Sequence, residues 1–421
     1  MGVSRHTKPR ITVRRILLLL LVFLIVGCNQ LPNFIDREHP SKDQQVILNE
    51  LSKDQSIKFK KISYNELVGW SKDKHSKALV TFLKSCLNIK HRSPETELGI
   101  RGFAGRVKTY QRICNRAKMV KPKMNHKASK TFFENWFEPY KIESFSSDFG
   151  LFTGYYEPEL NGSRVFSKKF KFPIYKRPND LISSDLGLFK REWKGRQVSG
   201  RLKGNKIVPF ATRKSIEMGA LAGRGLELLW VDNAIDVFFL HIQGSGRIRL
   251  DTGEIIKVGF SGRNGQPYFA IGRELVKMGE LTKSNVSMQK IRTWLESNPN
   301  KARDLMNKNK SYVFFREIKN KKTTKHSGLD GPIGAAGIPL TAGRSLAIDR
   351  AYFAMGLLFW IDTMDPLTKK PLQKLMVSQD TGGAIVGPIR GDYFWGSGKK
   401  AYEAAGLMKE KGKLFILLPK N

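Results

Sequence analysis

The stretch Gln379–Gly398, QDTGGAIVGPIRGDYFWGSG, constrains this chain more than any other. Six glycines in twenty residues rule out a stable helix, because glycine loses the most backbone freedom on ordering. Two aspartates, Asp380 and Asp392, sit within that glycine-dense turn system, which reads as neither a helix nor an ordinary strand. A third, Asp349, ends a similar segment, TAGRSLAID (341–349). Carboxylates placed where backbone approaches closely point to chemistry more than to surface solvation.

The N-terminus bears on compartment. Arg5, Lys8, Arg10, Arg14 and Arg15 precede an apolar run, Ile16–Val26, and then Gly27-Cys28. A basic region, a short apolar core and a small-residue cleavage site make a secretory signal. The run is shorter than the roughly 20 residues that span a bilayer. The ending Ile25-Val26-Gly27-Cys28 resembles a bacterial lipobox, with Cys28 acylated after cleavage. Asn29, not an aspartate, follows it, which by the same resemblance directs the protein to the outer membrane, facing the periplasm. Residues 1–28 are thus read as a lipoprotein signal peptide and 29–60 as a tether.

The net charge of +37 calls for an anionic setting. No nucleic-acid-binding signature accompanies it, and with a signal peptide in front the setting is the acidic cell envelope, with no nucleic-acid partner. Cys86 and Cys114 remain once Cys28 carries lipid: an even pair in an oxidising compartment, read either as a disulfide or as two buried thiols. There is no CxxC and no HExxH, so neither metal nor cofactor is expected. Ser245, Ser261 and Ser397 all fail the G-x-S-x-G spacing of a nucleophile elbow. GPIGAAG (331–337) lacks the lysine of a phosphate-binding loop. Aspartates, aromatics and glycines remain, an inventory suited to cleaving glycans, where a carboxylic acid protonates the glycosidic oxygen.

Periodicity predicts helices within 61–150 and a strand at Phe152–Tyr156. Short strands follow through 171–260, including the apolar run Ile235–Ile242. Helices are expected at Pro267–Gly279, Val286–Ser297 and Lys400–Lys409. Strands are expected at Tyr312–Phe315, Ser345–Ile348, Leu358–Ile361, Leu375–Val377 and Leu414–Leu418. Tyr155 and Tyr156 are neighbours in a strand, so both are buried only if both faces are covered.

Six blocks occur in order: FTGYYEPEL (152–160), FFLHIQGSGRI (238–248), NGQPY (264–268), SYVFF (311–315), GIPLTAGRSLAID (337–349) and QDTGGAIVGPIRGD (379–392). Over about 140–421 the chain resembles the membrane-bound lytic murein transglycosylase A family, with its C-terminal three-aspartate domain. That resemblance implies a mainly β fold with peripheral helices. A double-psi β-barrel would be built from 61–155 and 308–421, with a smaller β-rich domain, 156–307, inserted, and a groove between them for the glycan strand. It implies cleavage of peptidoglycan between N-acetylmuramic acid and N-acetylglucosamine, with a 1,6-anhydro product. Asp392 matches the acid/base residue, with Asp380 beside it as positioning or pKa-tuning carboxylate. Tyr393, Phe394 and Trp395 are candidates for the apolar surroundings of the acid. Thr153, Tyr155, Tyr156, Gln243, Gly244, Ser245, Gly246, Arg344 and Asp349 fall at substrate-binding positions. For Gln243–Gly246 a tight turn between strands competes with that role, and Asp349 can equally bind backbone. Two departures stand out: Asp380 and Asp392 are 12 positions apart where about 11 is usual, and Ala354 replaces a common proline. A non-catalytic expansin-like barrel and a true hydrolase remain alternatives, with a monomer as the default state.

Overall fold

The computed structural model describes residues 57–420 except 121–124, 145–146, 191–192, 194–195 and 319–330. The signal peptide, Cys28 and nearly all of the expected tether lie outside the described residues. No helix among the described residues is long and apolar enough to cross a membrane.

The fold is mainly β with helices packed around it. Strand β1 (Ile57–Lys61) pairs with β2 (Phe137–Ser144), so order begins inside the stretch read as tether. Between them lie α1 (His75–Ile89), α2 (Val107–Val120) and α3 (His126–Trp136). Cys86 on α1 and Cys114 on α2 form a disulfide. It closes a loop of 28 residues, worth roughly 3–4 kcal/mol in the chain-entropy account. Phe132, Phe133 and Phe137 are buried, turning α3 into β2 across one apolar corner.

The remaining strands of this first sheet are β3 (Gly150–Glu157), β13 (Ser345–Ala347), β14 (Leu358–Met364), β15 (Pro371–Asp380), β16 (Arg390–Ser397) and β17 (Lys409–Pro419). Their order is β1-β2-β17-β14-β15-β13-β16-β3, and β17 also pairs with β3. Long β17 makes this possible. Lys409–Gly412 faces β3, while Lys413–Leu417 faces β14. Pairings therefore return on themselves through six strands, which removes sheet edges that would otherwise invite aggregation. Helix α8 (Lys399–Leu407) covers β3 and β16, so Tyr155 and Tyr156 are both buried, one on each face.

The second sheet runs β12-β11-β10-β4-β9-β5. Its strands are β4 (Glu159–Ser163), β5 (Phe172–Tyr175), β9 (Glu227–Val231), β10 (Ser245–Leu250), β11 (Ile255–Arg263) and β12 (Val313–Glu317). A bridge from Lys176 to Phe315 links its outer strands. Because β12 pairs with β11, the second sheet extends to Glu317, and the chain does not return to the first sheet at 308. A small sheet of β6 (Ile182–Asp185), β7 (Gln197–Lys203) and β8 (Lys206–Val208) lies beside it.

Two local expectations fail here. The run Ile235–Ile242 is not a strand; it lies in helix α4 (Ala234–Gln243). Asn233 caps the first turn through Oδ1, and Gly244, at φ 77°, ends the helix in the left-handed region. A short apolar run does not distinguish strand from buried helix. Pro267 starts no helix, and α5 spans only Ile271–Lys277. It is followed by α6 (Met288–Ser297) and by α7 (Pro299–Lys308), which has proline in its first turn. Phe238 and Phe239 of α4 pack against these three helices.

Candidate active site

Four residues stand in a row across the first sheet. Ala347 of β13 is the register partner of Asp380 on one side and of Asp392 on the other, and Asp392 is the partner of Thr153 on β3. The two aspartates are thus two strand spacings apart, about 10 Å between backbones. The backbone of Ala347 runs between them. Far from lying in an irregular turn, Asp392 sits inside strand β16 and Asp380 ends β15.

Alternation along the strands decides their neighbours. Arg390, Asp392 and Phe394 share one face of β16, as Thr153 and Tyr155 do on β3. Phe394 and Tyr155 pack at 5.1 Å, in a cluster with Leu340, Ala347 and Ile385. Tyr393 points the other way, into the main core, and Trp395 packs against it. Of the three aromatics expected around the acid, only Phe394 shares its face.

Asp392 Oδ1 accepts a hydrogen bond of 2.6 Å from the Thr153 hydroxyl. Thr153 in turn accepts from Arg390 Nη2 at 2.7 Å. Arg390 is tied further to the carbonyls of Leu151 and Gly391. Burial pushes the Asp392 carboxyl above the ordinary range, against the pull of Arg390 and Thr153. Burial likewise pushes Asp380 up to about 6, and the charge of Asp392 adds to the rise. The amides of Ala335 and Thr381, both donating to Asp380 Oδ1, oppose it. The Tyr155 hydroxyl is close enough to feel both carboxylates, yet finds no partner of good hydrogen-bond geometry. Both aspartates keep a partly accessible surface in these enclosed surroundings.

The other expected site residues divide. Gln243 lies at the seam of the two sheets, where its Oε1 accepts from the Tyr156 amide at 3.1 Å. Gly244 and Ser245 turn α4 into β10, a helix-to-strand junction and not a turn between strands. At Gly246 a Cβ would lie 2.6 Å from Leu240 Cδ1 and 3.1 Å from Pro158 O, so any side chain there would crowd the Leu240 methyl. Arg344 is 3% exposed, and its guanidinium grips Asp73 through two 2.7 Å bonds. Asp349 accepts from Ala351 N at 2.9 Å and Gly387 N at 2.8 Å, which ties down the loop joining the other two aspartates. Neither Arg390 nor Ala347 was singled out as a site residue in the sequence, though Arg390 is two positions before Asp392 and so on its face. Among the described residues no three His, Cys, Asp or Glu side chains are grouped to hold a metal.

Residues 151–316 match the MltA specific insert domain, and residues 344–418 match the 3D domain. The chain is 31% identical over 272 residues to the membrane-bound lytic murein transglycosylase A homolog of Buchnera aphidicola, and 32% over 273 residues to membrane-bound lytic murein transglycosylase A of Escherichia coli. These matches span 63% of this chain and 65% of each relative's length. Among solved structures, a membrane-bound lytic murein transglycosylase from Agrobacterium tumefaciens superposes with a TM-score of 0.74 at 34% identity, covering 86% of this chain and 98% of that one. MltA from Neisseria gonorrhoeae superposes with a TM-score of 0.69 at 33% identity, covering 86% and 93%.

Proposed function

Since the chain belongs to the membrane-bound lytic murein transglycosylase A family, we propose that it cleaves the bond between N-acetylmuramic acid and N-acetylglucosamine in peptidoglycan. The carrying observation is the row Asp380–Ala347–Asp392–Thr153, with Asp392 raised by burial and partly open. An acid must hold its proton near working pH to be useful. The six-strand ring of pairings is the double-psi barrel of this reading, and the glycan lies along the seam with the second sheet.

Asp392 serves twice. Its proton passes to the glycosidic oxygen as the anomeric C–O bond breaks, and N-acetylglucosamine leaves as an alcohol. The carboxylate then takes the proton from the muramic C6 hydroxyl as that oxygen bonds to the anomeric carbon. The product is a 1,6-anhydro sugar and no water is consumed, so the second carboxylate of ordinary glycosidases has no water to activate. Asp380 anchors two loops through the Ala335 and Thr381 amides and biases the acid. Thr153, Tyr155, Tyr156, Gln243–Gly246, Arg344 and Asp349 shape or support the groove.

The enzyme acts as a monomer in the periplasm, held to the outer membrane by lipid on Cys28. Labelled palmitate should enter the wild-type protein and not Cys28→Ala. Digestion of purified sacculi in oxygen-18 water tests the chemistry. Soluble 1,6-anhydromuropeptides free of the label are expected. Label at a reducing-end muramic acid would make this a hydrolase, and no soluble product would leave a glycan-binding barrel.

A further inference from the structure

Arg263 is the last residue of β11, where the second sheet meets the loop between the two aspartates. Its neighbour Asn264 is fully buried and fixed from three sides. The Asn264 amide donates to Ala211 O and Lys310 O at 2.8 and 2.9 Å, and its Oδ1 accepts from Tyr312 N at 2.9 Å. Arg263 therefore projects from a rigid base. Its guanidinium lies against Gly383, where a Cβ would sit 3.0 Å from Nη1. Gly383 belongs to the 381–389 loop that carries the chain from Asp380 to Asp392. Five residues after Arg263, Tyr268 is 42% exposed yet feels the charge of Asp392. Arg263, at the end of β11, and Tyr268, in the segment that follows it, thus approach the aspartate sheet from the same side.

Among the described residues the Arg263 side chain has no hydrogen bond and no ion pair. Its surroundings disfavour the charge, and no carboxylate offsets them. An enclosed, unpaired guanidinium costs free energy unless an anion arrives to meet it. Its planar fork suits a carboxylate. A chain of N-acetylglucosamine carries no charge, whereas every muramic residue carries a lactyl carboxyl group, free or joined to a stem peptide that has carboxylates of its own.

Resting on the reading that the groove binds peptidoglycan, we infer that Arg263 recognises a carboxylate of the muramyl substituent and so sets the register of muramic acid over Asp392. It is a positioning residue and takes no part in proton transfer.

The test uses Arg263→Gln and Arg263→Lys in the full chain, with three probes: peptide-free glycan strands, peptide-bearing glycan, and a neutral N-acetylglucosamine oligosaccharide. Arg263→Gln should raise KM about 10–100-fold on muramyl glycan, the span of one hydrogen-bonded charge, with kcat little changed. Arg263→Lys should fall between Arg263→Gln and wild type. Affinity for the neutral oligosaccharide should stay as in wild type. Loss on peptide-free strands identifies the lactyl carboxylate, and loss confined to peptide-bearing glycan identifies the stem peptide. Equal loss on the neutral oligosaccharide, or no loss on any probe, overturns the inference. Should the wild type cleave nothing, the proposed reaction fails instead. Titration of the same probes onto Asp392→Asn, with and without Arg263→Gln, still reads the role of Arg263.

Discussion

Thr153 and Asp392 are bound twice: their backbones are register partners on parallel strands β3 and β16, and the Thr153 hydroxyl donates to Asp392 Oδ1 at 2.6 Å. The strand pairing sets the spacing and the hydroxyl sets the rotamer. Arg390 approaches the same hydroxyl at 2.7 Å, so the cation reaches the acid through Thr153.

Thr153→Val keeps the shape and removes the donor. The hydrogen bond favours the ionised carboxylate, and its loss raises the Asp392 pKa further. In the proposed reaction cleavage requires the protonated acid, so the alkaline limb of kcat/KM should move to higher pH. A pH–rate profile on glycan strands checks this. An unmoved limb would show that Thr153 does not tune the group that limits activity.

Asp380→Asn should leave the fold more stable at neutral pH. Asp380 has a folded-state pKa of about 6, raised from 3.8 chiefly by burial. Below about pH 4 both folded and unfolded chains hold the proton, and the folded state suffers no penalty. Stability declines as pH rises toward 6, and above that the enclosed charge bears its full cost of roughly 2–3 kcal/mol at most. An asparagine oxygen can still accept from Ala335 and Thr381, and its amide carries no charge. The melting temperature should rise by roughly 2–5 °C at pH 7.5 and change little at pH 4.

Much of this site was legible from residue identities. Glycine density and six ordered blocks located the aspartates, and the alternation rule foretold that Tyr155 and Tyr156 need cover on both faces. What escaped notice depends on partners far along the chain. Arg344 looked like a glycan contact because it lies in the block with Asp349. Its partner Asp73 is 271 positions away, and nothing local announces the pair. Ala347 is unremarkable in sequence and matters only because β13 runs between β15 and β16. The strand misread at Ile235–Ile242 failed for the opposite reason. The cap signals Asn233 and Gly244 were present, but apolar content outweighed them.

The Arg344–Asp73 pair makes its own prediction. Both side chains are almost wholly buried, at 4% and 3% exposure. Burial pushes the Asp73 carboxyl up, but the Arg344 bond and charge, with the Leu375 amide, hold it below its ordinary value. Its contribution to stability is present above about pH 4 and is lost as pH falls through the lower folded-state pKa. Asp73→Ala strands a buried guanidinium and should destabilise by about 3–5 kcal/mol in urea unfolding. Arg344→Gln should unfold early in the same assay while KM of the folded fraction stays put. A rise in KM without loss of stability would return Arg344 to the groove.

Asp392→Asn decides the chemistry. Asparagine is nearly isosteric with aspartate, and its oxygen can still accept from Thr153, so melting behaviour and glycan affinity should persist. The amide has no proton to give the leaving oxygen and cannot take one from the C6 hydroxyl. General acid–base catalysis is worth about 10²–10⁴-fold, and one group serving both half-reactions puts the loss at or above that range. Asp380→Asn, which leaves the acid in place, should lose far less. Burial raises Asp380 as well, and the two variants measured side by side on peptide-free glycan separate the two roles. Robust cleavage by Asp392→Asn, together with an inactive but folded Asp380→Asn, would move the acid from β16 to β15 and leave Asp392 as the tuning charge.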